Sequence, residues 1–105
     1  MRRVAFRLRV KPERLDEYIR IHAEVWPELL DDLTEAGYRN YSIFADGPEL
    51  FGYLECDDWN AAQATLSGSD ANRRWQAWMS DFLETPVDPD GDEPLRLLQQ
   101  VFFLE

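Results

Sequence analysis

A chain of 105 residues has room for one domain, spanning 1–105, and one core. With 45% hydrophobic and 30% charged residues it groups with ordinary globular proteins rather than disordered or fibrous ones. Its net charge of −10, from 11 basic and 21 acidic residues, opposes a surface that neutralises phosphates or anionic lipids, so neither nucleic acid nor a membrane is expected as a partner.

No apolar run approaches the roughly 20 residues that cross a bilayer, and the opening MRRVAFRLRV patterns as a strand rather than a secretion signal; the expected location is cytoplasmic. In that opening, Val4, Phe6, Leu8 and Val10 alternate with Arg3, Ala5, Arg7 and Arg9, a strand with one apolar face. Lys11-Pro12 ends it, and Pro12 with Glu13 suits the first turn of a helix. Leu15, Tyr18, Ile19, His22, Val25, Trp26, Leu29 and Leu33 follow at spacings of three and four, predicting one long amphipathic helix that stops at Gly37. Pro27 interrupts it, and either a bend after His22 or a new helix starting at Pro27 satisfies the pattern.

A second strand is predicted with Arg39, Tyr41, Ile43 and Ala45 on one side and Tyr38, Asn40, Ser42 and Phe44 on the other. The turn Asp46-Gly47-Pro48-Glu49 leads into LFGYLEC, making a hairpin. Two shorter helices follow, one from Asp57 or Asp58 to about Leu66 and one capped by Ser69 whose apolar face is Trp75, Trp78, Met79 and Phe82. After the loop ETPVDPDGDEP, the alternation in LRLLQQVFFLE predicts a last strand. This order reads as an α+β, ferredoxin-like plan: a mostly antiparallel sheet with helices on one face. The other sheet face would stay uncovered, so a homodimer is expected.

Cys56 is the only cysteine and His22 the only histidine, which excludes an intrachain disulfide and leaves no zinc or iron spacing. The acidic loop around Asp88, Asp90 and Asp92 lacks the glycine and glutamate positions of a 12-residue calcium loop, and reads as a solvated turn. There is no glycine-rich phosphate loop and no nucleophile motif of the G-x-S-x-G kind. What remains is the row Tyr18, His22, Trp26, one turn apart on a helix face that points at the sheet. A histidine in a partly apolar cleft suits general acid or base work near neutral pH, without cofactor or metal. The same spacing fits a core histidine satisfied by a hydroxyl or carbonyl, and spacing alone leaves both open. Trp75 and Trp78 can form a platform for a sugar ring or can be plain core.

Tyr18, His22, the run Val25-Trp26-Pro27-Glu28-Leu29, Asn40-Tyr41, Arg74-Trp75, Met79 and LQQVFFL together resemble the L-rhamnose mutarotase family over nearly the whole chain. The resemblance implies a dimeric α/β-barrel enzyme that interconverts sugar anomers with neither metal nor nucleotide. It implies His22 as the catalytic acid and Tyr18, Tyr41 and Trp75 as contacts to a small monosaccharide. The chain departs from the family pattern at Gln76, where a second tryptophan is usual, and at Gln100, where an acidic residue is usual. Those departures leave the identity of the sugar open. Two other readings stand beside this one: a cofactor-free oxygenase on a similar dimeric barrel, and a non-catalytic dimer that binds a small ligand.

Overall fold

The computed structural model describes residues 1–84 and 95–105. The acidic loop around Asp88 to Asp92 lies outside them. The chain forms β1 (Arg2–Arg9), a 3-10 turn (Pro12–Arg14), α1 (Leu15–His22), α2 (Pro27–Glu35), β2 (Arg39–Asp46), β3 (Glu49–Cys56), α3 (Trp59–Ser67), α4 (Asp70–Met79) and β4 (Arg96–Leu98). The four strands form one sheet in the order β2-β3-β1-β4, and every neighbouring pair is antiparallel. This is the ferredoxin-like α+β arrangement. No described helix is long and apolar enough to cross a membrane.

Alternation on β1 and β3 divides the sheet cleanly. Val4, Phe6, Leu50, Leu54 and Cys56 are buried under the helices, whereas Arg3, Ala5 and Arg7 pair with Glu55, Tyr53 and Phe51 on the outer face. The buried side chains form two clusters. Val10 and Leu50 pack with Tyr18, Leu29, Trp75, Met79 and Phe82, while Val4, Phe6 and Leu54 pack with Tyr38, Trp59, Ala62 and Leu66. Gly52 lies beneath the Phe6 ring, where a Cβ would overlap it.

The long helix expected from Pro12 to Gly37 is instead broken in two. A proline disfavours the helical region for the residue before it, and Trp26 accordingly adopts φ −57°, ψ 131° as the N-cap of α2. The preceding turn tightens, with Ala23 N–H donating to the Arg20 carbonyl and Glu24 N–H to that of Ile21. Of the two outcomes the sequence allowed at Pro27, the helix restarts.

On β2, Arg39 pairs with Glu55 and Ser42 with Tyr53, so Asn40 and Tyr41 together stand against Leu54. Asn40 takes φ 50° at this bulge, a region that asparagine tolerates better than most residues. The extra residue returns Arg39 to the outer face, where it ion-pairs with Asp57 at 2.9 Å, and puts Tyr38 inside with Tyr41, the rings 5.3 Å apart. Strict alternation had placed Tyr38 and Tyr41 on opposite sides.

Asp58 caps α3 by accepting from Ala61 N–H at 3.1 Å, and Ser69 caps α4 by accepting from Asn72 N–H at 3.0 Å. Ser69 also donates to Asp32 at 2.5 Å, fastening α4 to α2. Phe82, expected on α4, lies beyond its end at Met79; there the chain returns to β1, with Lys11 N–H donating to the Phe82 carbonyl and Glu84 N–H to that of Arg9. The last strand is shorter than alternation predicted. Only Arg96–Leu98 pair with β1, and residues 99–105 continue without regular structure. Their apolar side chains are not covered by the described residues: Val101 is 87% exposed and Leu104 80%.

Candidate active site

Three elements converge on the space between the inner sheet face and the helices. From α1 come Tyr18 and His22, from β2 Tyr41, and from α4 Asn72, Trp75 and Gln76. Two adjoining chambers of about 80 and 310 Å³ share His22, Tyr41, Asn72, Trp75 and Gln76. The larger chamber lies at the low end of volumes that hold small ligands.

His22 occupies the last turn of α1, where its ring stacks on that of Tyr18 with centroids 4.1 Å apart and an interplanar angle of 29°. Its Nδ1 is 2.8 Å from the Tyr18 carbonyl oxygen. A carbonyl can only accept, so the neutral ring carries its proton on Nδ1 and leaves Nε2 with a lone pair. Removal from water lowers the His22 pKa, and the bond to the Tyr18 carbonyl opposes that shift without cancelling it. The ring is therefore neutral and basic at neutral pH.

The tyrosines behave in the opposite sense. Burial pushes the Tyr18 phenol up to about 12, and burial, with Tyr38 and Tyr18 nearby, raises Tyr41 further. Both keep their protons and serve as hydrogen-bond donors. Although Tyr41 is 38% exposed as a whole residue, its hydroxyl end lies deep enough to be desolvated. Tyr38, pushed up to about 12 by burial, accepts from Gln63 Nε2 at 2.7 Å in the smaller chamber.

Trp75 is 5% exposed and meets His22 edge-on at 5.3 Å. Trp26 stands edge-on to Trp75 at 5.0 Å and stacks on Trp78 at 5.8 Å with their planes 6° apart. The break at Pro27 thus removes Trp26 from the helical row without removing it from the aromatic group. Arg74 fixes this corner from outside, bonding Glu28 at 2.8 Å and Asp70 at 2.9 Å while lying 5.3 Å over the Trp26 ring. Trp78, for which the sequence left both a platform and a core role open, is 40% exposed.

All four site residues singled out from the sequence, His22, Tyr18, Tyr41 and Trp75, line the smaller chamber together. Sequence reasoning did not assign Asn72, Tyr38 or Gln63 to the site, and noted Gln76 only as a departure. A signal for Asn72 was present: it precedes Trp75 by three and Met79 by seven, a polar residue in an apolar stripe. Tyr38 depended on the bulge. Among the described residues, no group of three His, Cys, Asp or Glu side chains is placed to hold a metal ion.

The chain can be set beside known proteins on this geometry. A family model for L-rhamnose mutarotase matches residues 3–104. An L-rhamnose mutarotase of Burkholderia orbicola is 42% identical over 108 residues, covering 100% of each chain. The crystal structure of an L-rhamnose mutarotase from Formosa agariphila superposes with a TM-score of 0.80 at 27% identity over 100% of both chains. The tetracenomycin F2 cyclase of Streptomyces glaucescens, at TM-score 0.64 and 19% identity over 100% of this chain and 98% of its own, shares the fold alone. Sequence, fold and the matched length agree: this chain belongs to the L-rhamnose mutarotase family.

Proposed function

We propose that the protein interconverts the α and β anomers of L-rhamnose or a closely related aldose, with His22 as the proton-transfer residue and Tyr18, Tyr41 and Trp75 as sugar contacts. The single observation that carries this is the Nδ1 contact between His22 and the Tyr18 carbonyl, which leaves Nε2 as a base on a ring that lines the cavity.

Nε2 accepts the proton of the anomeric hydroxyl. The O–H electrons form the C1 carbonyl, the bond from C1 to the ring oxygen breaks, and that oxygen takes the proton back from Nε2. Both oxygens are bonded to C1, so one nitrogen can serve each in turn, first as base and then as acid. The open aldehyde rotates about C1–C2, and the steps run backward onto its other face. The raised tyrosine pKa values agree with tyrosines that orient hydroxyls without ionising. A positioned acid–base group contributes about 10²–10⁴-fold. The reaction as written uses neither metal nor nucleotide.

The cofactor-free oxygenase reading calls for a closed apolar cleft, whereas amides and hydroxyls from Gln63, Tyr41, Asn72 and Gln76 line this one. Saturation-difference NMR of anomer exchange on L-rhamnose distinguishes the readings. Exchange faster than buffer that collapses in His22→Ala is the expected result; exchange no faster than buffer on rhamnose, fucose, glucose or galactose would sink the proposal. A non-catalytic binder would retain affinity in His22→Ala with no rate to lose.

The working unit is proposed to be a homodimer. Among the described residues the helices cover one sheet face, while Phe44 is 65% exposed and Phe51 38% exposed on the other. The tail lies over that same outer face, with Arg3 3.7 Å from the centre of the Phe103 ring. A second copy would cover these side chains and supply a strand partner for residues 99–105, which have none among the described residues. The acidic sequence and single buried thiol agree with a cytoplasmic setting.

A further inference from the structure

Gln76 follows Asn72 by one turn on α4, is half-buried, and lines both chambers beside His22. Its Nε2 donates to Asn72 Oδ1 at 3.4 Å. The Asn72 amide is held in turn from behind: it is 6% exposed, and its Nδ2 donates to the Leu66 carbonyl at 3.4 Å. A backbone carbonyl can only accept, so Asn72 must give it the nitrogen and turn its oxygen toward Gln76. Gln76 must then spend an N–H on Asn72. Its Oε1 is left as an acceptor with no protein partner among the described residues.

The larger chamber also has a lining of different chemistry. Val25, Leu29, Leu30 and Leu33 give it an apolar wall. A deoxyaldose has a matching asymmetry, with a hydroxylated edge that needs partners and a methyl edge that does not.

We infer that Gln76 is a specificity residue whose Oε1 accepts a hydrogen bond from one ring hydroxyl of an aldose lying with its apolar edge on the leucine wall, and that Asn72 is the positioning residue that fixes the direction of that amide. The sugar class rests on the proposed function; the orientation of the amide does not. An analogue lacking that hydroxyl would leave Oε1 unpaired in a partly desolvated wall and be selected against.

The test uses L-rhamnose and its single-deoxy analogues at C2, C3 and C4. Anomer exchange and dissociation constants are measured by NMR for wild type, Gln76→Met, Asn72→Leu and Asn72→Asp. On rhamnose, Gln76→Met should lose about tenfold in kcat/KM, carried by KM rather than kcat. One analogue should be about tenfold weaker than rhamnose with wild type and lose nothing further in Gln76→Met. Asn72→Leu should reproduce that pattern, and Asn72→Asp, which retains an acceptor for Gln76, should preserve the wild-type ranking of sugars. Gln76→Met decides the matter if Asn72→Leu fails to fold.

Equal losses on every sugar, or none, would overturn the inference. If wild type accelerates no sugar, the mutarotase proposal fails while the dissociation constants still report on Gln76 through the same pattern. Absence of binding by any of these sugars overturns both.

Discussion

The Nδ1 of His22 lies 2.8 Å from the carbonyl oxygen of Tyr18, one turn earlier on the same helix. A main-chain group thereby settles which imidazole nitrogen remains for chemistry, and it does so from within α1. The neighbours that share the cavity with His22 include Tyr18, Tyr38, Tyr41, Gln63, Asn72, Trp75 and Gln76, and none of its lining among the described residues is a carboxylate.

The first consequence is a pH profile. Desolvation lowers the His22 pKa below its ordinary 6.5, so the basic form persists into mildly acidic solution. Activity is expected to be level above pH 6.5 and to fall with a midpoint below 6.5. Stability follows the same group. Between the lowered folded value and 6.5 the unfolded chain binds more protons, so this contribution is whole above 6.5 and is lost as pH falls toward the folded pKa. Denaturant melts of wild type and His22→Asn from pH 5 to 8 should differ in slope only in that window. A rate midpoint at or above 6.5 would contradict a neutral base.

Tyr41→Phe removes a hydroxyl and leaves the ring. KM should rise about five- to tenfold, the size of one net hydrogen bond of about 1–1.5 kcal/mol, with kcat changed less and the melting midpoint nearly kept. An unchanged KM would remove Tyr41 from the sugar contacts.

Gly52 is required for packing rather than for backbone freedom, since a Cβ there would overlap the Phe6 ring. Phe6 is 1% exposed and packs with Val4, Tyr38 and Leu54, so its ring must shift to admit a methyl group. Gly52→Ala should destabilise the protein by about 1–3 kcal/mol or more, read as a lower denaturant midpoint. Gly47→Ala, at a turn with φ 57° and open space around it, should show only the smaller backbone cost.

Phe44→Asp places a charge on the outer face among residues proposed to meet a second copy. Sedimentation at micromolar concentration should show dimer for wild type and a shift toward monomer for the variant. A wild type that sediments as monomer would remove the dimer from the proposal.

Much of this was legible in the chain because it depends on local patterns. Alternation in VAFRLRV, the caps Asp58 and Ser69, and the Gly47-Pro48 turn each act within a few residues. His22 and Tyr18 were legible together because residues four apart on a helix must meet. Asn40 shows where local reading stops: its φ of 50° shifts the register by one, and every side-chain direction before it reverses. The tail is the converse case, with alternation present in LRLLQQVFFLE but with no strand partner for residues 99–105 among the described residues.

The sequence by itself determined the element order, the ferredoxin-like plan, the candidate histidine and the family, because periodicity, capping and motif spacing are short-range properties. Tertiary structure decided the inward turn of Tyr38, the Nδ1 tautomer of His22 and the direction of the Gln76 amide. Each of these rests on a partner that only folding brings near, or on a backbone carbonyl whose position no residue name records.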